Sequence, residues 1–167
     1  FGGALVWYNG LLDFQGSTVA VNIANYGSAI NIRESAIIVR NSIFWANGEN
    51  SFYSDAGNES SMVTVEYSNF FGGEEYLSSS SNIILNWGFG NFNSDPMFCG
   101  PSQGDFTLQE NSFCLTASDS SGLIGALEQT CIEQLNINKS DLPQNFSLFQ
   151  NYPNPFNPIT MISFRVD

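Results

Sequence analysis

The chain has 167 residues, of which 16 are Asp or Glu and 4 are Lys or Arg, and it contains no His, so its formal charge is −12. Because Lys and Arg provide the affinity for phosphate groups, this balance argues against nucleic acid or an anionic membrane as a partner. With 43% hydrophobic and 14% aromatic residues the chain can still form a core, and no run approaches the roughly 18 apolar residues of a membrane span.

The first part of the chain is repetitive. Three similar segments place serines at Ser17, Ser42 and Ser68, so the repeat is 25 and then 26 residues long. Each repeat contains short β-branched and aromatic runs separated by Gly, Asn and Ser. Short strands that recur with turns every 20 to 30 residues are typical of a solenoid. The sequence therefore predicts an all-β, right-handed parallel β-helix, with an ordinary β-sandwich as the alternative.

The repeat also predicts which residues lie above one another. Stacked coils place equivalent residues of successive repeats side by side on paired parallel strands. We expect Val39 next to Val65 and Phe44 next to Phe70, as interior rows.

Composition divides the chain into four parts. Residues 1–92 are predicted to form the coils, and residues 93–135 a closing segment that protects the strand edge of the last coil. Residues 136–141 are polar and are predicted to be a linker, and residues 142–167 begin a further, truncated β domain. No segment has a convincing helical pattern. The chain starts without Met and ends within an apolar alternation, so we expect it to be a piece of a longer protein.

Two sets of motifs resemble known surface proteins. Asn-Ser-Ile-Phe-Trp-Ala-Asn at 41–47 and Tyr-Ser-Asn-Phe-Phe-Gly-Gly at 67–73 resemble repeats of bacterial right-handed β-helices of the pectate-lyase-like superfamily. The motifs between residues 95 and 127 resemble the closing segment of many such proteins. That segment often has Ser-Pro-Cys where this chain has Ser-Phe-Cys at 112–114, and a further Cys that this chain lacks.

The proline-rich tail carries the most specific resemblance. Residues 142–150 precede a motif made of Asn151, Tyr152, Pro153, Asn154, Pro155, Phe156, Asn157 and Pro158. This stretch is similar to the start of the type A C-terminal sorting domain of the type IX secretion system. The resemblance implies that the type IX machinery is a partner and that the protein is secreted or held on the outer-membrane surface.

The three cysteines fit an oxidising exterior. Cys99 and Cys114 flank a predicted hairpin, and we expect a disulfide between them. This pairing leaves Cys131 without an assigned partner.

The sequence offers few groups for chemistry. Without His no Ser-His-Asp or Cys-His site can form, and a zinc site is disfavoured. We therefore predict no catalytic, cofactor-binding or metal-binding residues, although carboxylates could hold Ca²⁺ or serve a polysaccharide hydrolase. A position on the solvated surface of the coils explains these carboxylates more simply. The repeat also places Arg40 beside Glu66, where we expect an outward ion pair. The acidic candidates are Glu74, Glu75, Asp95 and Asp105.

Aromatic side chains provide a second candidate chemistry, since they could stack on sugar rings. Packing inside the coils is the favoured explanation for them. The candidates are Trp7, Tyr8, Trp45, Tyr53 and Trp87. The resulting hypothesis is a non-catalytic surface protein for adhesion or binding of extracellular glycans. The alternatives are a purely structural repeat, or the C-terminal end of a secreted polysaccharide lyase or glycoside hydrolase whose active site lies upstream.

Overall fold

The computed structural model describes residues 3–48, 51–54, 60–78, 82–120, 122–131, 146–150, 161 and 163–166. The chain forms two compact units, residues 1–132 and 133–167. The described part contains thirteen strands, one α-helix and two 3-10 helices. In chain order these are β1 (Leu5–Gln15), β2 (Thr18–Ala20), β3 (Ile30–Arg40), β4 (Ile43–Trp45), β5 (Phe52–Ser54), β6 (Ser61–Glu66), β7 (Asn69–Phe70), α1 (Gly73–Ser78), β8 (Ile83–Trp87), β9 (Phe98–Gly100), η1 (Pro101–Gln103), β10 (Asp105–Gln109), η2 (Phe113–Leu115), β11 (Gln129–Cys131), β12 (Phe146–Leu148) and β13 (Phe164–Val166).

The first unit is a parallel β-solenoid of about five turns. Its first sheet has the order β1-β3-β6-β8, with β5 also paired to β3, and every pair is parallel. Val39 is the register partner of Val65, as the repeat predicts. Parallel pairing at this spacing excludes the antiparallel β-sandwich, because a sandwich joins neighbouring strands by hairpins.

The second sheet has the order β2-β4-β7 and is also parallel. Phe44 pairs with Phe70, and their rings stack with centroids 4.8 Å apart and planes 7° apart. Both predicted interior rows are therefore confirmed. The same register places Arg40 beside Glu66, where the guanidinium Nε lies 2.9 Å from the carboxylate. This predicted outward ion pair is part-exposed, so its contribution to stability is at most about 1 kcal/mol.

Side chains fill the solenoid interior, because buried and exposed positions alternate along the strands. In β6, Val63 and Val65 are fully buried while the intervening Thr64 is partly exposed. Phe44 and Phe52 lie at the centre of the same core with ring centroids 5.2 Å apart. A thin coil can bury large side chains in this way because each strand is covered by the turns on either side.

The corners of the coils use left-handed backbone conformations. At one corner Gly16, Asn41, Tyr67 and Gly90 all have positive φ, between 47° and 71°. Glu34, in the middle of β3, has φ 50°. Because positive φ is costly for residues other than Gly, each turn must gain stabilising contacts from the next.

A ladder of serines supplies such contacts. The Ser17 N–H donates to Ser42 Oγ at 3.0 Å, and the Ser42 N–H donates to Ser68 Oγ at 3.1 Å. Asn91 Oδ1 takes the next place and accepts from the Ser68 N–H at 3.0 Å. The repeated serines thus satisfy backbone donors where the strand ladder is interrupted.

One helix contradicts the expectation of an all-strand coil. The chain forms α1 where the preceding turns continue from their second sheet towards the next strand. Glu74 and Glu75 lie in its first turn, where the helix dipole favours negative charge. Leu77 is 2% exposed and joins the solenoid core. Six residues are too few to give a helical periodicity, so tertiary packing of Leu77 decided this element.

The closing segment forms a three-stranded sheet of order β11-β10-β9. Gly104, with φ 80°, ends η1 and makes the turn into β10. Phe98, Leu108 and Ile124 pack with the outward-facing Ile43 into a second core. The segment therefore covers the outer face of the second sheet. β8 pairs with β6, and among the described residues no strand lies on its other side.

The disulfide differs from the predicted one. Cys99 is bonded to Cys131, with the two Cα atoms 6.0 Å apart, whereas Cys114 is a free, buried thiol. The prediction of a Cys99–Cys114 bridge is therefore wrong in its second partner. The reason is that β9 and β11 both flank β10, while Cys114 points into the second core beneath the sheet.

The second unit contains one antiparallel strand pair in its described part. β12 pairs with β13, with Ser147 opposite Arg165. The predicted linker 136–141 and the sorting motif from Asn151 to Pro158 lie outside the described residues. No helix in the described part of the chain has the length and hydropathy that a bilayer crossing requires.

Candidate ligand groove

A concave surface lies in the first unit, between the solenoid and its closing segment. We call it the flank groove, and its volume is about 550 Å³, within the usual range for ligand sites. One wall comes from the second sheet and the other from the closing segment. Its lining residues are Val21, Trp45, Ala46, Asp95, Met97, Phe98, Pro101, Ser102 and Gln109.

The solenoid wall is made by two successive turns in register. β2 and β4 are paired up to Ala20 and Trp45, and the next residues, Val21 and Ala46, have φ 58° and 50°. The Val21 N–H donates to the Trp45 carbonyl at 3.1 Å, which holds the two turns together. Phe71 meets the indole of Trp45 edge to face at 5.1 Å. The half-buried indole is thus fixed in the floor of the groove.

The opposite wall is fixed by hydrogen bonds around Asp95. Asp95 Oδ1 accepts from the Met97 N–H at 2.8 Å, which is the Asx-type turn that the Asp-Pro sequence predicts. The Met97 carbonyl accepts from the Gln109 N–H at 2.9 Å. Gln109 Nε2 donates to the Phe98 carbonyl at 3.1 Å. The carboxylate and the amide are therefore held beside the indole before any ligand arrives.

The far side of this wall is tied to the rest of the closing segment. η1 carries Pro101 and Ser102 and begins two residues after Cys99, whose disulfide joins β9 to β11. In the same sheet Thr130 Oγ1 donates to Thr107 Oγ1 at 2.6 Å, and Thr107 donates to Asp105. These hydrogen bonds from Thr107 lower the pKa of Asp105 below its ordinary value of 3.8.

Of the aromatic candidates, the structure places only Trp45 in the groove. Trp7 and Trp87 pack against the solenoid core, which is the favoured structural explanation. Tyr53 contacts Tyr26, with ring centroids 4.8 Å apart. Tyr8 is 50% exposed and lines a second, smaller concavity of about 300 Å³ with Asn9, Arg33 and Glu34.

Of the acidic candidates, the structure places only Asp95 in the groove. Glu74 and Glu75 lie on α1, and Asp105 lies in β10 outside the lining. Asp95 is thus the one ionisable side chain among the lining residues, whereas glycoside hydrolysis uses a pair of carboxyl groups. Within the described ranges, no three His, Cys, Asp or Glu side chains converge as metal ligands.

Cys114 is the free thiol of the unit. Its thiol is buried and accepts a hydrogen bond from Asn69 Nδ2 at 3.4 Å. Burial raises the pKa of the Cys114 thiol, which keeps it protonated and unreactive at neutral pH. Its contacts connect the closing segment to the third turn.

Residues 13–122 match the model of a family described as a domain of unknown function, DUF5123. The chain belongs to the DUF5123 family. The matched span of this DUF5123 protein includes every residue that lines the flank groove. Neither a curated protein nor a solved structure matches the chain significantly.

Sequence reasoning named Trp45 and Asp95 but missed the residues around them. Val21 and Ala46 could have been found, because the 25-residue step from Ser17 to Ser42 places them at equivalent corner positions. Gln109 carries no comparable signal, since its place in the groove depends on how the closing segment folds back onto the second sheet.

Proposed function

We propose that this DUF5123 protein is a non-catalytic extracellular protein that binds glycans in the flank groove. The observation that carries the proposal is the fixed indole of Trp45 facing a wall with Asp95, Ser102 and Gln109. Sugar rings have an apolar face and hydroxyl groups at their edges. An aromatic surface beside a few fixed polar groups suits such amphipathic ligands.

The polar groups complement hydroxyl chemistry. A carboxylate accepts hydrogen bonds, an amide both donates and accepts, and a hydroxyl does either. Asp95 and Gln109 each use one atom to hold the wall, at Oδ1 and Nε2 respectively. Asp95 Oδ2 and Gln109 Oε1 have no protein partner among the described residues, and both are suited to accept hydrogen bonds from sugar hydroxyls.

Binding measurements on the wild type and on two aromatic-to-alanine variants test this proposal. Calorimetric titration of oligosaccharides selected on a glycan array is expected to give a saturable heat with at least one of them. Trp45→Ala should weaken this binding by about tenfold or more, since stacked aromatic contacts contribute on the order of 1 kcal/mol beyond burial. Tyr8→Ala, which removes an exposed aromatic from the smaller concavity, should leave it unchanged.

If Trp45→Ala does not fold, Ala46→Glu provides a second variant, because Ala46 is exposed at the groove and makes no core contact. Binding that survives this substitution, or no binding by the wild type, would refute the assignment. Turnover of a bound polysaccharide would favour the lyase or hydrolase alternative.

We further propose export by the type IX machinery, with the protein secreted or held at the cell surface. The support is the resemblance of residues 142–158, together with a disulfide that suits an oxidising compartment. A pectate-lyase-like, right-handed coil is part of the same proposal. The full-length protein should reach the medium or the surface in a bacterium with the type IX machinery, and remain inside an isogenic strain that lacks it.

The sorting motif gives a sharper form of the export test. Replacing Pro153, Pro155 and Pro158 by Ala is expected to retain the protein inside cells, whereas Pro101→Ala should leave export unaffected. Equal export of both variants would show that the motif is not the signal.

A further inference from the structure

The lining of the flank groove contains one acidic side chain and no basic one. Asp95 is the ionisable side chain of its lining, and Arg33 and Arg40 are the cationic side chains of the sequence from residue 1 to 132. Arg40 is paired with Glu66, and Arg33 lies 3.6 Å from Glu34 at the smaller concavity. Neither arginine lines the flank groove, so no described cation there can neutralise an anionic ligand.

The rest of the unit adds to this field. Residues 1–132 contain 13 Asp or Glu and 2 Arg, a formal charge of −11, and such a field disfavours the approach of ligands of the same sign. A uronate residue would bring its carboxylate to a groove that already holds the carboxylate of Asp95. Like charges brought together at an interface are costly.

The position of Asp95 also limits what can bind beside it. Its Oδ1 accepts the Met97 N–H at 2.8 Å, so the carboxylate cannot rotate away without breaking the turn. A fixed carboxylate has lone pairs to satisfy and, when ionised, no proton to give. The group that meets it must therefore be a donor, such as a sugar hydroxyl.

The lining beyond Asp95 is mainly apolar. Val21, Met97, Phe98 and Pro101 surround the indole with surface that offers no donors or acceptors in its side chains. Such a surface favours the hydrogen-rich face of a sugar ring over a heavily hydrated ionic group, because the hydration of a charge is lost in the groove.

We propose that the flank groove selects uncharged oligosaccharides, which stack a ring face on Trp45 and donate hydroxyl protons to Asp95, and that it rejects uronate-containing chains. This inference rests on the proposed glycan binding and adds the class of ligand. This specificity distinguishes the protein from proteins that bind pectate or alginate, which are polyanions.

The experiment compares oligosaccharides of equal length with the full chain in a single buffer. Neutral gluco-, manno-, xylo- and galacto-oligosaccharides form one set, and oligogalacturonates and oligomannuronates form the other. At least one neutral ligand should bind about tenfold or more tightly than any uronate ligand, and the difference should shrink as salt rises.

Asp95→Asn tests the origin of the selectivity. It keeps the side-chain shape and removes the charge, so the ratio of neutral to uronate affinity should fall by about tenfold. Asp13→Asn is the matched control, since Asp13 is exposed on β1 and does not line the groove. It removes one negative charge, as Asp95→Asn does, and should leave the ratio unchanged.

The outcomes separate the two proposals. A uronate ligand that binds as tightly as a neutral one, and that is lost in Ala46→Glu, would overturn the selectivity while glycan binding stands. Binding of cationic glucosamine oligosaccharides alone would likewise overturn the selectivity while glycan binding stands. If none of the saccharides binds, the glycan function itself fails.

Discussion

Replacing Ser42 by Ala tests whether the serine ladder holds successive turns together. Ser42 is fully buried. Its Oγ accepts the Ser17 N–H at 3.0 Å and donates to the Arg40 carbonyl at 2.7 Å. The Arg40 carbonyl keeps a second partner, because it also accepts from the Gly16 N–H at 3.1 Å. The main loss therefore falls on the Ser17 N–H, which has no other recorded acceptor.

The magnitude follows from these two bonds. Each intramolecular hydrogen bond contributes about 1 kcal/mol net, and a part-buried donor left unsatisfied costs about 1 kcal/mol or more. We expect Ser42→Ala to lower the free energy of unfolding by about 2 kcal/mol, or the melting temperature by roughly 4–8 °C for a domain of this size.

Urea unfolding, followed by tryptophan fluorescence and circular dichroism, measures the change. Ser17→Ala is the matched control, because Ser17 Oγ makes one exposed bond, to the Gln15 carbonyl at 3.2 Å. This control should cost no more than about 0.5 kcal/mol. Equal losses for the two variants, or a loss below about 0.5 kcal/mol for Ser42→Ala, would refute the role of the ladder.

Three further predictions concern the cores and the closing segment. Cys99→Ser should destabilise the first unit by about 4 kcal/mol in the chain-entropy model for a bridge to Cys131, and thiol titration of the unfolded, non-reduced wild type should give one free thiol. Phe44→Ala should cost roughly 3–5 kcal/mol in urea unfolding, because Phe44 is 1% exposed. Thr107→Ala should raise the pKa of Asp105 towards 3.8 in a carboxyl NMR titration. Because the hydrogen bonds from Thr107 lower the pKa of Asp105 in the folded wild type, their contribution to stability is present at neutral pH and is lost as the pH falls through that lowered pKa. An unchanged pKa of Asp105 in Thr107→Ala would contradict this prediction.

The repeat alone determined the coil-on-coil pairing. A step of 25 or 26 residues brings like residues together only if the strands are parallel and in register. For that reason Val39 and Val65, and Arg40 and Glu66, could be paired without coordinates. The physical cause is local: the alternation of side chains in each strand and the turn residues between strands recur in every turn.

The flank groove and the disulfide were decided by tertiary structure. The contacts that dock the closing segment join residues far apart in the chain: the Ala126 N–H donates to Thr18 Oγ1 across 108 positions, and Asn41 bonds Asp119 across 78. No periodicity encodes such contacts, because they form only when apolar side chains of the closing segment meet the outer face of the second sheet. The sequence by itself therefore determined the solenoid, and the folded chain decided which cysteines pair and where Trp45 meets Asp95.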